Sequence, residues 1–149
     1  EVVLLSLGIQ GIAERSGRSS FLGFDIPGSE RAAFMQYTFN AKVGLNGEDV
    51  RIVETGEGAY RVTIPTFIFI GHGDVTFRLV AEDNGVLSFV TPEVDTVEMV
   101  NSILDDEAQD KYVDSNLETL KEQAKTFYGG IIHGIDPEAQ GVYDFVGGR

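Results

Sequence analysis

Alternation of apolar and polar positions dominates the first two thirds of the chain. From Val3 to Ala13, and again from Ala33 to Leu45, every second position is apolar or glycine. A period of two places apolar side chains on one face of a β-strand and polar side chains on the other. Both stretches are therefore predicted to be half-buried strands.

Turn sequences separate further strand-like segments. Three short segments contain residues that easily adopt the backbone angles of tight turns. They are Asn46-Gly47 within "NGED", "GEG" at 56–58 and Asp83-Asn84-Gly85. Pro65 has no amide hydrogen and is expected to end its strand or lie at a sheet edge. Residues 71–74, "GHGD", lie between two apolar runs and are predicted to form another turn, with Asp74 capping it.

The period of the apolar residues changes in the last third of the chain. After Thr91-Pro92, apolar residues recur every three or four positions as far as Leu104, which predicts a short helix. Residues 105–114 are predicted to be an acidic connector, and a longer helix follows a capping-box pattern at Ser115 and Glu118. Its predicted inward stripe consists of Leu117, Leu120, Ala124, Phe127, Ile131 and Ile135. A last strand is predicted at "GVYDFV".

Several strands followed by two helices predict an α+β fold: an antiparallel multi-stranded sheet with two C-terminal helices packed on one face. A length of 149 residues predicts one domain, residues 1–149. The first residue is Glu1 rather than methionine, so an upstream signal or membrane anchor is expected.

The net charge of the chain limits the classes of partner that it can bind. Its formal net charge is −13, and residues 82–118 hold eleven acidic residues against the single base Lys111. Such a surface repels the phosphates of nucleic acids and anionic lipid headgroups, so neither is an expected partner. The chain has no cysteine, which excludes disulfides and thiol chemistry. No apolar stretch approaches the roughly 18 residues that span a bilayer, so membrane attachment is expected only through the missing anchor.

His72 and Asp74 are the candidates for catalysis. A histidine with a carboxylate in reach could serve a hydrolase as a general base. The turn interpretation accounts for the same residues without catalysis and is preferred. His133 is the other histidine, and a helix continuing through Gly129-Gly130 would place it opposite the apolar stripe. A zinc or iron site using both histidines with Asp74 or Asp136 lacks a recognised ligand spacing.

The acidic connector is the candidate for metal binding. Asp105, Asp106, Asp110 and Asp114, with Glu107, offer the hard oxygen ligands that calcium prefers. The connector has no glycine for the sharp turn of a calcium loop. A solvated charged loop is therefore the preferred interpretation, with weak calcium binding at residues 105–114 as the alternative. No other cofactor is predicted, because the chain has neither a GxGxxG phosphate loop nor a P-loop lysine motif.

Residues 38–136 resemble a known family. The order of "AKVGLNGEDV", "YRVTIP", an apolar run and acidic residues ahead of "DSNLETLKEQA" is similar to a widespread bacterial family of unknown function. Members of that family usually carry one N-terminal membrane helix and expose the remainder outside the cytoplasm. Pro65 and the helix at Leu117 to Phe127 match its motifs. The resemblance implies an extracytoplasmic location and brings no catalytic residues.

The sequence thus predicts a non-enzymatic extracytoplasmic domain that acts through protein contacts at the bacterial envelope. A hydrolase using His72 and Asp74 and a calcium-binding module at residues 105–114 are the alternatives. The protein partner and the oligomeric state are left open.

Overall fold

The computed structural model describes residues 1–14, 20–21, 24–25, 33–83, 86–90, 101 and 103–148. Its strands are β1 (Val2–Glu14), β2 (Ser20–Phe21), β3 (Phe24–Asp25), β4 (Ala33–Leu45), β5 (Arg51–Gly56), β6 (Ala59–Ile64), β7 (Ile68–Asp83), β8 (Val86–Val90) and β9 (Gln140–Phe145). Its helices are α1 (Asp106–Ser115) and α2 (Leu117–Ile135). Short 3-10 turns occupy Gly47–Asp49 and Val146–Gly148. The α+β class and the two C-terminal helices are confirmed.

Contacts divide the chain into two compact units. The first unit comprises residues 1–7, 42–71 and 109–149, and the second comprises residues 8–41 and 72–108. Strands β1, β4 and β7 contribute residues to both units. The prediction that residues 1–149 form one domain stays a prediction.

A three-stranded sheet in the order β5-β6-β9 forms the frame of the first unit. β5 and β6 are an antiparallel hairpin, and Gly58 in its turn has a φ of 69°, a backbone angle that glycine adopts without a steric penalty. β9 runs parallel to β6, with Ala59 opposite Gln140 and Ile64 opposite Phe145. A parallel pair needs a long crossover, which the segment containing both helices supplies.

Helix α2 packs on one face of this sheet, against β6 and β9. Its buried residues are Leu120, Ala124, Tyr128 and Ile132, spaced four apart. They join Val43, Leu45, Val62, Ile64, Phe67, Val113 and Ala139 in the core of the first unit. The ammonium groups of Lys121 and Lys125 lie 5.5 and 6.0 Å from the centre of the Phe145 ring on β9. These cation–π contacts add to the attachment of the helix.

The predicted inward stripe of α2 is correct at its start and wrong at its end. Phe127, Ile131 and Ile135 are exposed, and Tyr128 and Ile132 take their places in the core. A spacing of four advances each side chain by about 40° around the helix, and the core follows that drift. Three large apolar side chains are left on the outside.

The predicted acidic connector is also wrong, because residues 106–115 form helix α1. Asp105 caps it: its carboxylate accepts a hydrogen bond from the backbone N–H of Ala108 at 2.9 Å. Asp106 and Glu107 lie in the first turn, where the helix dipole favours negative charge. Val113 is 1% exposed and is the buried residue that anchors this mostly polar helix in the core.

A four-stranded sheet follows the order β1-β4-β7-β8. β1 and β4 confirm the two strands predicted from alternation. β7 and β8 pair antiparallel, with Asp83 opposite Val86, on either side of the predicted Asn84-Gly85 turn, which lies outside the described residues. The helix predicted from Thr91 to Leu104 also lies largely outside them.

The turn predicted at residues 71–74 is wrong. β7 continues through Gly71, His72, Gly73 and Asp74 as one strand of 16 residues. Glycine permits a reversal but does not impose one, and here pairing within the sheet keeps these residues in one strand, although Asp74 itself has a positive φ.

Candidate functional site

Polar side chains cover one face of the sheet in the second unit. Along β7, His72, Asp74, Thr76 and Arg78 are exposed, whereas the residues between them are half-buried. This alternation is the period of two of a β-strand and puts all four side chains on the same face. The strand therefore continues past His72, where a turn was expected, and presents a row of polar side chains on one face.

Two hydrogen bonds join this row to β4. The side-chain amide Nδ2 of Asn40 donates to Oδ2 of Asp74 at 2.8 Å. The hydroxyl groups of Thr38 and Thr76 bond to each other. Residue numbers rise along β4 as they fall along β7, which indicates that the two strands are antiparallel. Cross-strand pairs of this kind hold the side chains in fixed positions.

An open cleft of about 450 Å³ lies beside these pairs. It is lined by Gly8, Ile9, Gln10, Thr38, Phe39, Asn40 and Asp74. A second cleft of about 490 Å³ shares Gln10 and Thr38 with it and extends to Gln36 and Tyr37. We call the first of these two clefts the polar cleft. All its lining residues belong to the second unit.

The second cleft is shaped by an aromatic residue and a glycine. The ring of Tyr37 lies over Gly11, where a β-carbon would collide with it. Tyr37 also stacks on Phe39, with ring centres 6.1 Å apart and an angle of 14° between the planes. The tyrosine is therefore held from two sides, and its position is defined by packing.

Asp74 has an unusual backbone. Its φ is 53°, the left-handed region, and it is the non-glycine residue with positive φ among those described. Aspartate tolerates this region better than most residues because its short side chain can hydrogen-bond nearby. Strained positions of this kind are concentrated at binding sites, where the surrounding structure maintains them.

We expect Asp74→Ala to lower the free energy of unfolding by about 1–2 kcal/mol, because alanine is poorly suited to the left-handed region and leaves Asn40 without its acceptor. Asp74→Asn keeps an acceptor and a residue that tolerates this backbone, so its stability should stay within about 0.5 kcal/mol of the parent. Urea unfolding of both variants measures the difference. An equal loss in the two variants would contradict this account of Asp74.

The structure places His72 and Asp74 on the same face of β7 without joining them. Asp74 is hydrogen-bonded to Asn40, and no hydrogen bond or ion pair connects His72 to another residue in the described part of the chain. A general base needs a partner that orients its ring. Hydrolase activity at these residues stays a prediction.

His133 is exposed on α2, as its position opposite the core stripe predicts. A ring nitrogen of His133 lies 3.0 Å from the carbonyl oxygen of Ala139, so the ring links the helix end to the start of β9. This contact gives His133 a structural role at the helix terminus.

The proposed calcium ligands lie at the start and along one side of a helix. Asp106, Asp110 and Asp114 are four residues apart on α1, and Asp105 is its cap. The carbonyl oxygens that a calcium loop would supply are used within the helix. Among the residues that the structure describes, no three acidic or histidine side chains converge as a metal site would require. Calcium binding at residues 105–114 stays a prediction, without the loop on which it depended.

The outer side of α2 is the second candidate surface. Phe127, Ile131 and Ile135 are 47%, 42% and 70% exposed, and Gly130 and Gly134 lie between them with nothing within 4 Å of an added β-carbon. We call these five residues the outward stripe. The sequence analysis recognised the apolar residues but assigned them to the core.

The glycines of α2 differ in their surroundings. A β-carbon on Gly129 would come within 3.1 Å of the Tyr143 hydroxyl, which donates a hydrogen bond to the carbonyl of Lys125. Burial raises the pKa of the Tyr143 phenol, and nearby Lys125 lowers it by less, so the hydroxyl is a proton donor at neutral pH. Gly129 thus makes room for a neighbour in the core. Gly130 and Gly134 have no such neighbour among the described residues.

No protein-family model, curated protein or solved structure matches this chain. In the part of the chain that the structure describes, neither helix combines the length and the apolar character needed to cross a bilayer.

Proposed function

We propose that this chain is a non-enzymatic protein-binding domain of the bacterial envelope, held outside the cytoplasm by an upstream anchor, and that it binds its partner through the outward stripe of α2. The observation that carries the proposal is the exposure of Phe127, Ile131 and Ile135 in one row along a helix whose neighbouring row, from Leu120 to Ile132, is buried against the sheet. Single exposed apolar residues are common on protein surfaces. A row of three on one helix face is typical of a contact surface.

The exposed glycines support the same proposal. Each glycine inside a helix destabilises it by about 1 kcal/mol relative to alanine. Gly129 relieves a contact with Tyr143, but Gly130 and Gly134 face open space in the described structure. Their missing β-carbons would let the backbone of a partner approach the helix closely, as small residues do between packed helices.

The shape of the outward stripe favours a helix as the partner element. Its apolar residues follow the spacing by which an amphipathic helix and an apolar surface recognise each other. Three side chains and two glycines form a smaller surface than the roughly 800 Å² per partner of a standard stable interface. The contact is therefore weak by itself and suits a partner that is concentrated at the envelope.

The proposed location of the chain outside the cytoplasm is supported by the resemblance of residues 38–136 to an extracytoplasmic family. A net charge of −13 also favours protein partners over nucleic acids and anionic lipids.

A photo-crosslinking experiment tests the contact. Benzoylphenylalanine at position 131, in the full-length protein within its native bacterium, should give a discrete crosslinked product. The matched control places the same residue at Glu122, which is exposed on the same helix and projects about 180° away from Ile131. Phe127→Glu in the position-131 protein should abolish the product, because a charge would be buried in an apolar contact.

The folding of the Phe127→Glu variant is checked separately. Since Phe127 is about half exposed, we expect its stability to fall by about 1 kcal/mol or less. A product that is equally abundant at positions 131 and 122, or that survives Phe127→Glu, would refute the proposal. The mass of the product distinguishes a second copy of the chain from another protein.

A further inference from the structure

We infer that the polar cleft of the second unit binds a neutral saccharide. This goes beyond the proposed protein contact, which uses the first unit, and it stands on separate residues. The cleft is open and polar, whereas sites for compact apolar ligands are enclosed and mostly apolar. An open polar cleft instead suits an extended ligand that is rich in hydroxyl groups.

The lining residues offer donors and acceptors without a positive charge. The side chain of Gln10 is exposed and makes no hydrogen bond to another described residue, so its amide can both donate and accept. Asn40 donates to one oxygen of Asp74, which leaves the Asn40 carbonyl and the second Asp74 oxygen for a ligand. Amides and carboxylates at this spacing match the neighbouring hydroxyl groups of a sugar.

The electrostatics of the cleft disfavour anions. Asp74 is its charged residue among the described lining positions, and the chain as a whole has a net charge of −13. A phosphate or an acidic sugar would therefore be repelled. A neutral saccharide meets no such barrier.

The polar groups are held in place before a ligand arrives. The Asn40–Asp74 and Thr38–Thr76 pairs fix side chains across two strands, and the left-handed backbone of Asp74 is part of the same arrangement. Pre-organisation of this kind reduces the entropy lost on binding.

Gly8 leaves room at the near end of the cleft. The closest atom to a β-carbon added there is Oδ1 of Asn40, at 3.9 Å. A larger side chain at position 8 would therefore fill the cleft without displacing the backbone. Gly8→Leu is for that reason a variant that blocks the site beside Asn40.

An amide-NMR titration of the 149-residue chain tests the inference. The probes are cellotetraose, chitotetraose and maltotetraose as neutral saccharides and tetragalacturonate as the anionic counterpart. We expect at least one neutral probe to cause saturable shifts at Gln10, Thr38 and Asn40, with a dissociation constant of about 1 mM. Tetragalacturonate should bind at least about tenfold more weakly.

Three variants complete the test. Gly8→Leu should abolish the shifts, and Gln10→Ala should weaken binding about three- to tenfold, the loss expected for one hydrogen bond. Gln123→Ala, on α2 in the first unit, should leave it unchanged. The inference is overturned if no neutral probe shifts the cleft residues, if tetragalacturonate binds as well, or if binding survives Gly8→Leu in a protein with a native amide spectrum. None of these outcomes depends on the outward stripe, so the proposed function is tested independently.

Discussion

Gly44→Ala is expected to lower the free energy of unfolding by about 3 kcal/mol, at the upper end of what overpacking usually costs. Gly44 is buried in β4, and a β-carbon there would fall on the backbone carbonyl of Val2 in β1. It would also lie 3.0 Å from the Cδ1 atom of Ile70. A side chain could rotate away from such a contact, but the carbonyl belongs to a neighbouring strand and moves only if the strand pairing opens.

Gly71→Ala is the matched control for Gly44→Ala. Gly71 also lies inside a long strand, β7, but nothing lies within 4 Å of a β-carbon added there. Alanine should therefore keep the stability or raise it by about 0.5 kcal/mol, because it loses less backbone entropy than glycine on folding. Chemical unfolding followed by circular dichroism measures both variants. Similar changes in the two would show that β1 and β4 do not approach closely at Gly44.

Ile132→Ala is expected to lower the free energy of unfolding by about 3 kcal/mol, whereas Ile131→Ala should lower it by about 1 kcal/mol or less. The two residues are neighbours with the same side chain, but Ile132 is 2% exposed and Ile131 is 42% exposed. Removing the buried side chain leaves a cavity in the core of the first unit. Removing the exposed one leaves none, and alanine has the better helix propensity.

This pair of variants determines which face of α2 is buried in the core. If Ile131→Ala were the more damaging of the two, the helix would bury Phe127, Ile131 and Ile135, as the sequence predicts. The outward stripe would then be core, and the proposed protein contact would have no surface. The same urea titration that measures stability therefore also examines the basis of the proposed function.

The elements that the sequence predicted well depend on local patterns. β1 and β4 follow from alternation, and the hairpin turn at Gly58 follows from a residue that adopts positive φ easily. The longer helix follows from an apolar period of three and four. The predicted capping box at Ser115 and Glu118 is wrong, because Ser115 ends α1 and the N-cap of α2 is Asn116, whose side chain makes no capping hydrogen bond. Each of these signals lies within about a dozen residues, so no knowledge of distant contacts is needed.

The elements that the sequence predicted poorly depend on distant contacts. Residues 71–74 have the composition of a turn but stay within one strand because β7 pairs within a sheet. The acidic segment has a weak apolar pattern but becomes α1, where Asp105 caps the first turn and Val113 enters the core. In both cases tertiary contacts override the local preference.

The polar cleft had one weak signal in the sequence. Asp74 was a candidate residue, but as a partner of His72, its neighbour in the chain. Its partner in the structure is Asn40, 34 residues away. The alternation along β4 assigned Asn40 and Thr38 to a polar face, yet it could not say which strand would lie beside them.

The sequence by itself determined the α+β class, the course of the longest regular strands, the position of the second helix and the acidic character that narrows the choice of partners. Only the tertiary structure decided which side of α2 is buried, that β7 runs unbroken past His72, and that Asn40 meets Asp74 beside a cleft. The physical reason is the distance along the chain over which each interaction acts. Strand and helix periods are set by neighbours along the chain, whereas the orientation of an element and the meeting of polar side chains are set by packing between segments far apart in sequence.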